Sequence, residues 1–223
     1  SLRPLLFNKF IIVLLKKILG NDFVLLNDMS MLKSSFKGWH KDTSNLAFSG
    51  AKFHYEKDFL ILNVIIYLQE NTETLGGGLD VIPGSHLEKF DELVTPLSAG
   101  GKKNILYYIK RIKPKLKTIY LHIFEKYFKI KIDTKKDIKY TIPTKIGDVV
   151  IFDQKITHKA SWPKDTSLNP DKFLINFSVS RNNIYAIKFM NFLKGRRDFL
   201  HLKKPQLSKE FCKEIADNKI NLF

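Results

Sequence analysis

Apolar residues follow two different spacings along the chain, which predict a helix near the start and short strands after it. Residues 5–19 place apolar side chains at helical spacing, and Gly20 followed by Asn21 is a stop signal. From Phe23 onward the apolar runs are short and separated by turn residues, which indicates strands. The predicted strands are 23–27, 51–55, 59–68, 79–82, 149–152 and 173–179. Strands in series without alternating helices favour an antiparallel sandwich or barrel.

Two segments differ from the strand series and complete the predicted organisation. Residues 101–140 are basic, with helical apolar spacing broken at Pro114, and are expected to form a partly helical insertion between two strands. The chain becomes helical again at about 196–223, where Ser208 is a good N-cap for a helix over 209–217. We therefore predict one domain over residues 1–223, mainly β with flanking helices.

Composition narrows the class of protein. A chain of 223 residues with 44% hydrophobic residues can bury a real core, and 11 Gly and 8 Pro are too few for a collagen-like or disordered chain. The single cysteine, Cys212, cannot form an internal disulfide, so a cytoplasmic location is expected. Lysines interrupt the apolar run at 10–15, and no transmembrane segment is expected. The first residue is Ser1, which leaves a trimmed N-terminus open.

The net charge of +16 is concentrated in one part of the chain. Residues 101–145 hold fourteen Lys or Arg against three acids. Only five of the 38 basic residues are arginines, whereas sequence-specific nucleic-acid surfaces rely on arginine forks, so no specific nucleic-acid partner is expected. A basic field captures anions, which predicts a substrate with phosphate or carboxylate groups; a surface that serves solubility alone is the alternative. The helix over 5–19 packs on the domain or lies on a membrane surface, so peripheral membrane contact stays open.

One pair of residues has the spacing of a metal site. Mononuclear non-haem iron is bound by two imidazoles and one carboxylate. Residues i and i+2 of a strand point to the same side, so His40 and Asp42 can converge on one ion. His158 follows the apolar run 149–152 by a few residues, at the rim of a predicted strand, and is the candidate for the third ligand.

Other histidines compete for this role. The same spacing occurs at His54/Glu56 and at His86/Glu88. Glutamate's longer side chain fits the two-residue reach less well, and His86 lies in a predicted turn, so His40/Asp42 is preferred and His54/Glu56 stays open. The remaining histidines are expected to be surface or satisfied core residues; they are His122 and His201.

Three blocks in this order resemble the phytanoyl-CoA dioxygenase family of Fe(II)/2-oxoglutarate oxygenases. They are Trp-His-Lys-Asp at 39–42, an apolar strand at 64–70 followed by the Gly-rich turn and Pro-Gly-Ser-His of 76–86, and the run 147–153 with His158. The resemblance spans roughly residues 20–179. It implies a double-stranded β-helix (jelly-roll) core and a catalytic iron bound by His40, Asp42 and His158. The glycine-rich turn and residues 83–85 would be structural.

The chain departs from the family at the residue that binds the far carboxylate of 2-oxoglutarate. The family has an arginine about a dozen residues after the second histidine ligand, at the start of the next strand, where this chain has Lys172. Lysine binds a carboxylate as a point charge and not as a fork. Lys172 is preferred over Arg181, which has the opposite strand parity and lies at the far end of the strand. Asn63 and Tyr67 share one strand face and either contact cosubstrate or substrate, or form a core polar pair.

The resemblance implies an Fe(II)/2-oxoglutarate-dependent dioxygenase that uses molecular oxygen to hydroxylate an unactivated C–H bond of a small organic substrate. Related halogenases lack the carboxylate ligand, so Asp42 predicts hydroxylation and not chlorination. One alternative is a non-catalytic jelly-roll binding module, which the missing arginine favours. Another is a basic interaction protein that binds an anionic membrane or nucleic acid through residues 101–145.

Overall fold

The computed structural model describes residues 3–34, 38–87, 139–164, 172–196 and 207–222. Its α-helices are α1 Arg3–Leu6, α2 Lys9–Leu19, α3 Ser44–Phe48, α4 Ile184–Lys194 and α5 Lys209–Asp217. Two short 3-10 helices are Phe53–Tyr55 and Ser85–Leu87. The strands are β1 Val24–Ser34, β2 Ile61–Tyr67, β3 Leu79–Val81, β4 Tyr140–Ile142, β5 Val149–Asp153, β6 His158–Ala160, β7 Lys172–Ser180 and β8 Asn221–Leu222.

The strands form two sheets, of five strands in the order β5-β2-β7-β1-β8 and of three in the order β4-β3-β6. Strand β7 pairs antiparallel with β1 and β2. A cluster of buried side chains from both sheets fills the space between them: Ile65, Tyr67, Leu79, Val81, Phe152 and Leu174. The two sheets therefore face each other around a shared core, and the predicted mainly β jelly-roll fold is confirmed.

Helices α2 and α5 cover the outer face of the larger sheet. Asn8 caps α2 by accepting a hydrogen bond from the Phe10 main chain, and Gly20, with φ 108°, ends it. The apolar residues of one α2 face, Leu15 among them, pack against Val64 of β2 and Phe211 of α5. The cap at Asn8 divides the predicted helix over 5–19 into α1 and α2. None of the helices in the described parts of the chain is long and apolar enough to span a membrane.

Other sequence-based expectations met different outcomes. The Ser208 cap and the helix over 209–217 are confirmed, because Ser208 Oγ accepts the Phe211 N–H at 3.2 Å. The predicted strand over 51–55 is wrong. Its main-chain hydrogen bonds close locally, as in Tyr55 N to Lys52 O at 3.1 Å, and form a 3-10 turn. Helix α4 is not expected from the sequence, and most of the predicted insertion at 101–140 lies outside the described residues.

Candidate metal centre

The structure brings His40, Asp42 and His158 together, with one ligand atom from each within 4.8 Å of the others. Asp42 Oδ1 lies 3.6 Å from His40 Nε2, and Asp42 Oδ2 lies 3.7 Å from His158 Nε2. Ligand atoms about 2 Å from one ion and at right angles lie about 3 Å apart, so this spacing is close to that of a metal site. Within the described ranges no other group of three potential ligands meets the same distance limit.

Main-chain pairing aligns the two histidines. His40 N–H donates to His158 O, and His158 N–H donates to His40 O, each at 2.9 Å. Asp42 N–H donates to Gln154 O at 3.1 Å. The expectation that His40 and Asp42 converge along a regular strand is wrong, because only a single bridge forms at His40 and Asp42 begins a turn. His158 follows the end of β5 by a few residues, as expected, but it is also the first residue of a further strand, β6.

Both imidazoles are held in the form that binds a metal. His40 Nδ1 lies 2.7 Å from Gly38 O, and His158 Nδ1 lies 3.0 Å from Ile156 O. A carbonyl oxygen only accepts hydrogen bonds, so each Nδ1 carries the proton and each Nε2 keeps its lone pair. Burial lowers the pKa of His158 to about 4, so this ring is neutral at neutral pH.

A turn that contains Ser85 braces the segments on both sides of the site. Lys41, between the first two candidate ligands, is buried and donates from Nζ to Ser85 O at 2.7 Å. Thr157, next to the third candidate, donates its N–H to Ser85 Oγ at 2.8 Å. Ser85 Oγ donates in turn to Ile82 O at 2.7 Å. The Pro-Gly-Ser turn thus contacts both ligand segments, a role that the sequence alone indicates only as structural.

Asn63 and Tyr67 point from β2 into the space between the sheets, but they meet different neighbours. Asn63 Nδ2 donates to Asp42 Oδ2 at 2.5 Å, so Asn63 touches the candidate metal ligand itself. The Tyr67 hydroxyl is buried and has no hydrogen-bond partner among the described residues, and burial raises the pKa of Tyr67. A buried hydroxyl that is unpaired in this way is available to hydrogen-bond a bound ligand.

Lys172 and Arg181 lie at opposite ends of β7. Lys172 is buried, with Nζ 6.0 Å from the centre of the Tyr67 ring. Burial is the main cause of the lowered pKa of His158, and the charge of Lys172 lowers this pKa slightly further, so Lys172 lies within electrostatic range of His158. Arg181 is exposed and follows Ser180, which pairs with Ile61 at the other end of β2.

The competing histidines do not assemble a second site in the described residues. His54 is buried in a 3-10 helix with its ring 4.1 Å from the Tyr55 ring, whereas Glu56 is exposed. His86 lies in the other 3-10 helix. The remaining residues named in the sequence analysis lie outside the described residues; they are Glu88, His122 and His201.

A family model described as phytanoyl-CoA dioxygenase (PhyH) matches residues 15–162, a span that includes all three candidate ligands. The chain belongs to the phytanoyl-CoA dioxygenase family. Membership confirms the resemblance seen in the sequence, and it confirms iron and 2-oxoglutarate as the predicted cofactors of this site. Comparison with curated proteins gives no match.

Three solved structures are similar to this member of the phytanoyl-CoA dioxygenase family. EvdMO1 is 17% identical, with a TM-score of 0.45 over 81% of this chain and 33% of its own. Apo HygX from Streptomyces hygroscopicus is 13% identical, with a TM-score of 0.47 over 81% and 67%. The epimerase SnoN in complex with Fe3+, alpha ketoglutarate and nogalamycin RO is 15% identical, with a TM-score of 0.47 over 86% and 65%. The chain thus spans from about a third to two thirds of the length of these proteins.

Proposed function

We propose that this chain is an Fe(II)/2-oxoglutarate-dependent dioxygenase that hydroxylates an unactivated C–H bond of a small organic substrate. The observation that carries the proposal is the meeting of His40, Asp42 and His158 with both imidazoles in the tautomer that binds a metal. When bound, the iron would couple activation of molecular oxygen to the oxidative decarboxylation of 2-oxoglutarate to succinate.

The three side chains would hold the ion from one side. Two neutral Nε2 atoms and one carboxylate oxygen form the donor set that suits non-haem iron, and they leave the other positions open for cosubstrate and oxygen. The Phe152 ring packs edge-on against His158 with centroids 4.8 Å apart, which keeps water from that side of the site. Because Asp42 takes a ligand position, we expect hydroxylation and not chlorination.

Lys172 and Tyr67 would bind the far carboxylate of 2-oxoglutarate. Both side chains are buried on the inner face of the larger sheet, and the part of the chain that the structure describes offers the Tyr67 hydroxyl no partner. An ammonium group supplies the opposite charge and a phenol supplies a directional donor, which together replace the fork of the family's arginine. On the same face, Asn176 presents a further buried oxygen that no described residue pairs with.

The substrate class and the cellular location rest on sequence alone. The basic residues 101–145 motivate a substrate with phosphate or carboxylate groups, and most of them lie outside the described residues. The cytoplasmic location rests on the single cysteine, Cys212, which is free and exposed. Peripheral membrane contact rests on the amphipathic sequence of residues 5–19 and stays a prediction.

Turnover of 2-oxoglutarate tests the proposal. Purified protein loaded with Fe(II) should form succinate slowly in air without added substrate, and His158→Ala and Asp42→Asn should abolish this. Glu56→Gln and His86→Ala are matched controls that should retain it. Iron-independent turnover would contradict the proposal, and so would full turnover in the two ligand variants. No saturable binding of 2-oxoglutarate to the metal-loaded protein would favour the non-catalytic binding module.

A further inference from the structure

Four buried polar side chains meet behind Asp42, on the inner face of the larger sheet. They come from three strands and one strand end, and each is between 1% and 9% exposed: Asp28, Asn63, Gln154 and Ser178. Strand register places Asn63 directly opposite Ser178. Because such buried groups must satisfy their hydrogen bonds among themselves, the direction of each bond constrains the next.

The donor and acceptor roles in these hydrogen bonds are set at Asp28, at the end remote from the metal centre. Asp28 accepts the Ser178 N–H at 2.9 Å and the Ser178 hydroxyl at 2.5 Å. Ser178 has one hydroxyl proton, and Asn63 Oδ1 is a second acceptor for it at 3.0 Å; the Ser178 oxygen accepts in turn from Gln154 Nε2 at 3.1 Å. The second Nε2 proton of Gln154 goes to Asn63 Oδ1 at 2.7 Å.

This order decides what Asn63 presents to Asp42. The amide oxygen of Asn63 already accepts from Gln154, so its nitrogen faces Asp42 and donates to Oδ2. One carboxylate oxygen is thereby engaged, and Oδ1 is left for an ion. The main-chain carbonyl oxygen of Gln154 also accepts the Asp42 N–H. Gln154 therefore positions the Asp42 backbone directly and the Asp42 carboxylate through Asn63.

We infer that Asn63 and Gln154 are positioning residues, which hold Asp42 so that it offers a metal ion a single oxygen. The inference rests on the proposed function only in taking Asp42 as a metal ligand. Partners that orient metal ligands in this way typically change metal affinity by about 10–100-fold when they are removed.

Two substitutions that nearly keep the side-chain volume test the role of these hydrogen bonds. Asn63→Leu removes the donor to Asp42, and Gln154→Met removes the donor to Asn63 while it keeps the carbonyl that binds Asp42. The readout is the affinity of the metal-free protein for Mn(II), measured by calorimetry without 2-oxoglutarate. Each variant should bind Mn(II) about 10–100-fold more weakly. The double variant should be no weaker than Asn63→Leu, because both act through one hydrogen bond.

A matched control separates positioning from general damage. Gln69 donates to Asn71 in a similar amide contact at 3.3 Å and accepts the Phe173 N–H at 2.9 Å. Within the described residues it makes no contact with the candidate metal ligands, so Gln69→Met should leave Mn(II) affinity unchanged. If Asn63→Leu does not fold, Gln154→Met and Ser178→Ala are tested instead. Of these two, Ser178→Ala should lose less Mn(II) affinity.

The outcomes distinguish this inference from the proposed function. Wild-type protein that does not bind Mn(II) would overturn the metal site itself. Wild-type protein that binds Mn(II), with both variants equally tight and only less stable to heat, would overturn the positioning role alone. Losses that add fully in the double variant would also overturn it, because the two residues would then act separately.

Discussion

His40 and His158 exchange both main-chain hydrogen bonds, at 2.9 Å each, and their rings lie 4.3 Å apart. Two candidate ligands that are distant in sequence thus form one antiparallel pair. Their spacing is set by the backbone, and the side chains add the metal-binding atoms without being needed for the pairing itself.

This pairing predicts that metal binding and folding separate at His40. His40→Ala should lower Mn(II) affinity by at least about 100-fold, because a ligand is lost outright, while the main-chain bridge remains. The melting temperature of the metal-free protein should change less than in His158→Ala, since His158 is buried against Phe152. Calorimetry and thermal unfolding in a chelator measure the two effects, and unchanged metal affinity in His40→Ala would contradict the triad.

A second prediction concerns the cosubstrate. Lys172→Met removes the charge and keeps most of the side-chain volume, and it should weaken 2-oxoglutarate binding to the Mn(II)-loaded protein by roughly 10–100-fold, the usual loss for a hydrogen bond to a charged group. Arg181→Met changes an exposed residue at the other end of β7 and should have no effect. Tyr67→Phe should give a smaller loss. The reverse result for Lys172 and Arg181 would move the carboxylate site.

A third prediction is a pH dependence that comes from Asp28. Burial raises the pKa of Asp28 from 3.8 to about 6, so the folded state holds this proton more tightly than the unfolded state. Its contribution to stability is therefore fully present below pH 3.8 and is lost as the pH rises to about 6, a change of about 3 kcal/mol. The free energy of unfolding of chelator-treated wild type, minus that of Asp28→Asn, should fall over this range. A difference that stays constant would argue against a protonated buried Asp28.

A fourth prediction separates two glycines with positive φ. At Gly76, φ is +67°, and an added Cβ would lie 2.6 Å from Ser161 O and Pro163 N. At Gly84, φ is +78°, and nothing lies within 4 Å of an added Cβ. Gly84→Ala should cost about 1–2 kcal/mol, the penalty of left-handed backbone alone. Gly76→Ala should cost clearly more, because main-chain atoms must move; denaturant unfolding of both variants measures the difference, and equal costs would be inconsistent with the clash.

The pattern of apolar residues was sufficient to predict the strands that lie fully in the core. Strand β2 follows from an apolar run broken only by Asn63, and β3 from the apolar residues on either side of Asp80, because both faces of each strand are buried. Strand β1 is predicted only as far as residue 27, because the polar Asp28 and Ser30 follow. The strand continues because its inward side chains meet other polar groups, and its register with β7 shifts between Leu26 and Ser30.

The candidate site was predictable in part for a related reason. His40, Asp42 and His158 carry metal chemistry in their residue types and stand in ordered blocks, so the sequence indicates them. Gln154 and Ser178 carry no such signal, since each is an ordinary polar residue until strand register places it beside Asn63. Such contacts depend on tertiary structure and have no local pattern.

The two histidine rings and the Asp42 carboxylate differ in how sensitive their orientation is to mutation of neighbouring residues. Gly38 and Ile156 contribute only carbonyl oxygens to the ring nitrogens, and a backbone carbonyl is present whatever the amino acid. Substitutions at these two positions can therefore accumulate without loss of the correct imidazole proton, provided that the local backbone path is kept. Asp42 has no such protection, because the identity of a neighbouring amide side chain decides how it is held. Natural or engineered variation should consequently alter this centre first on its carboxylate side.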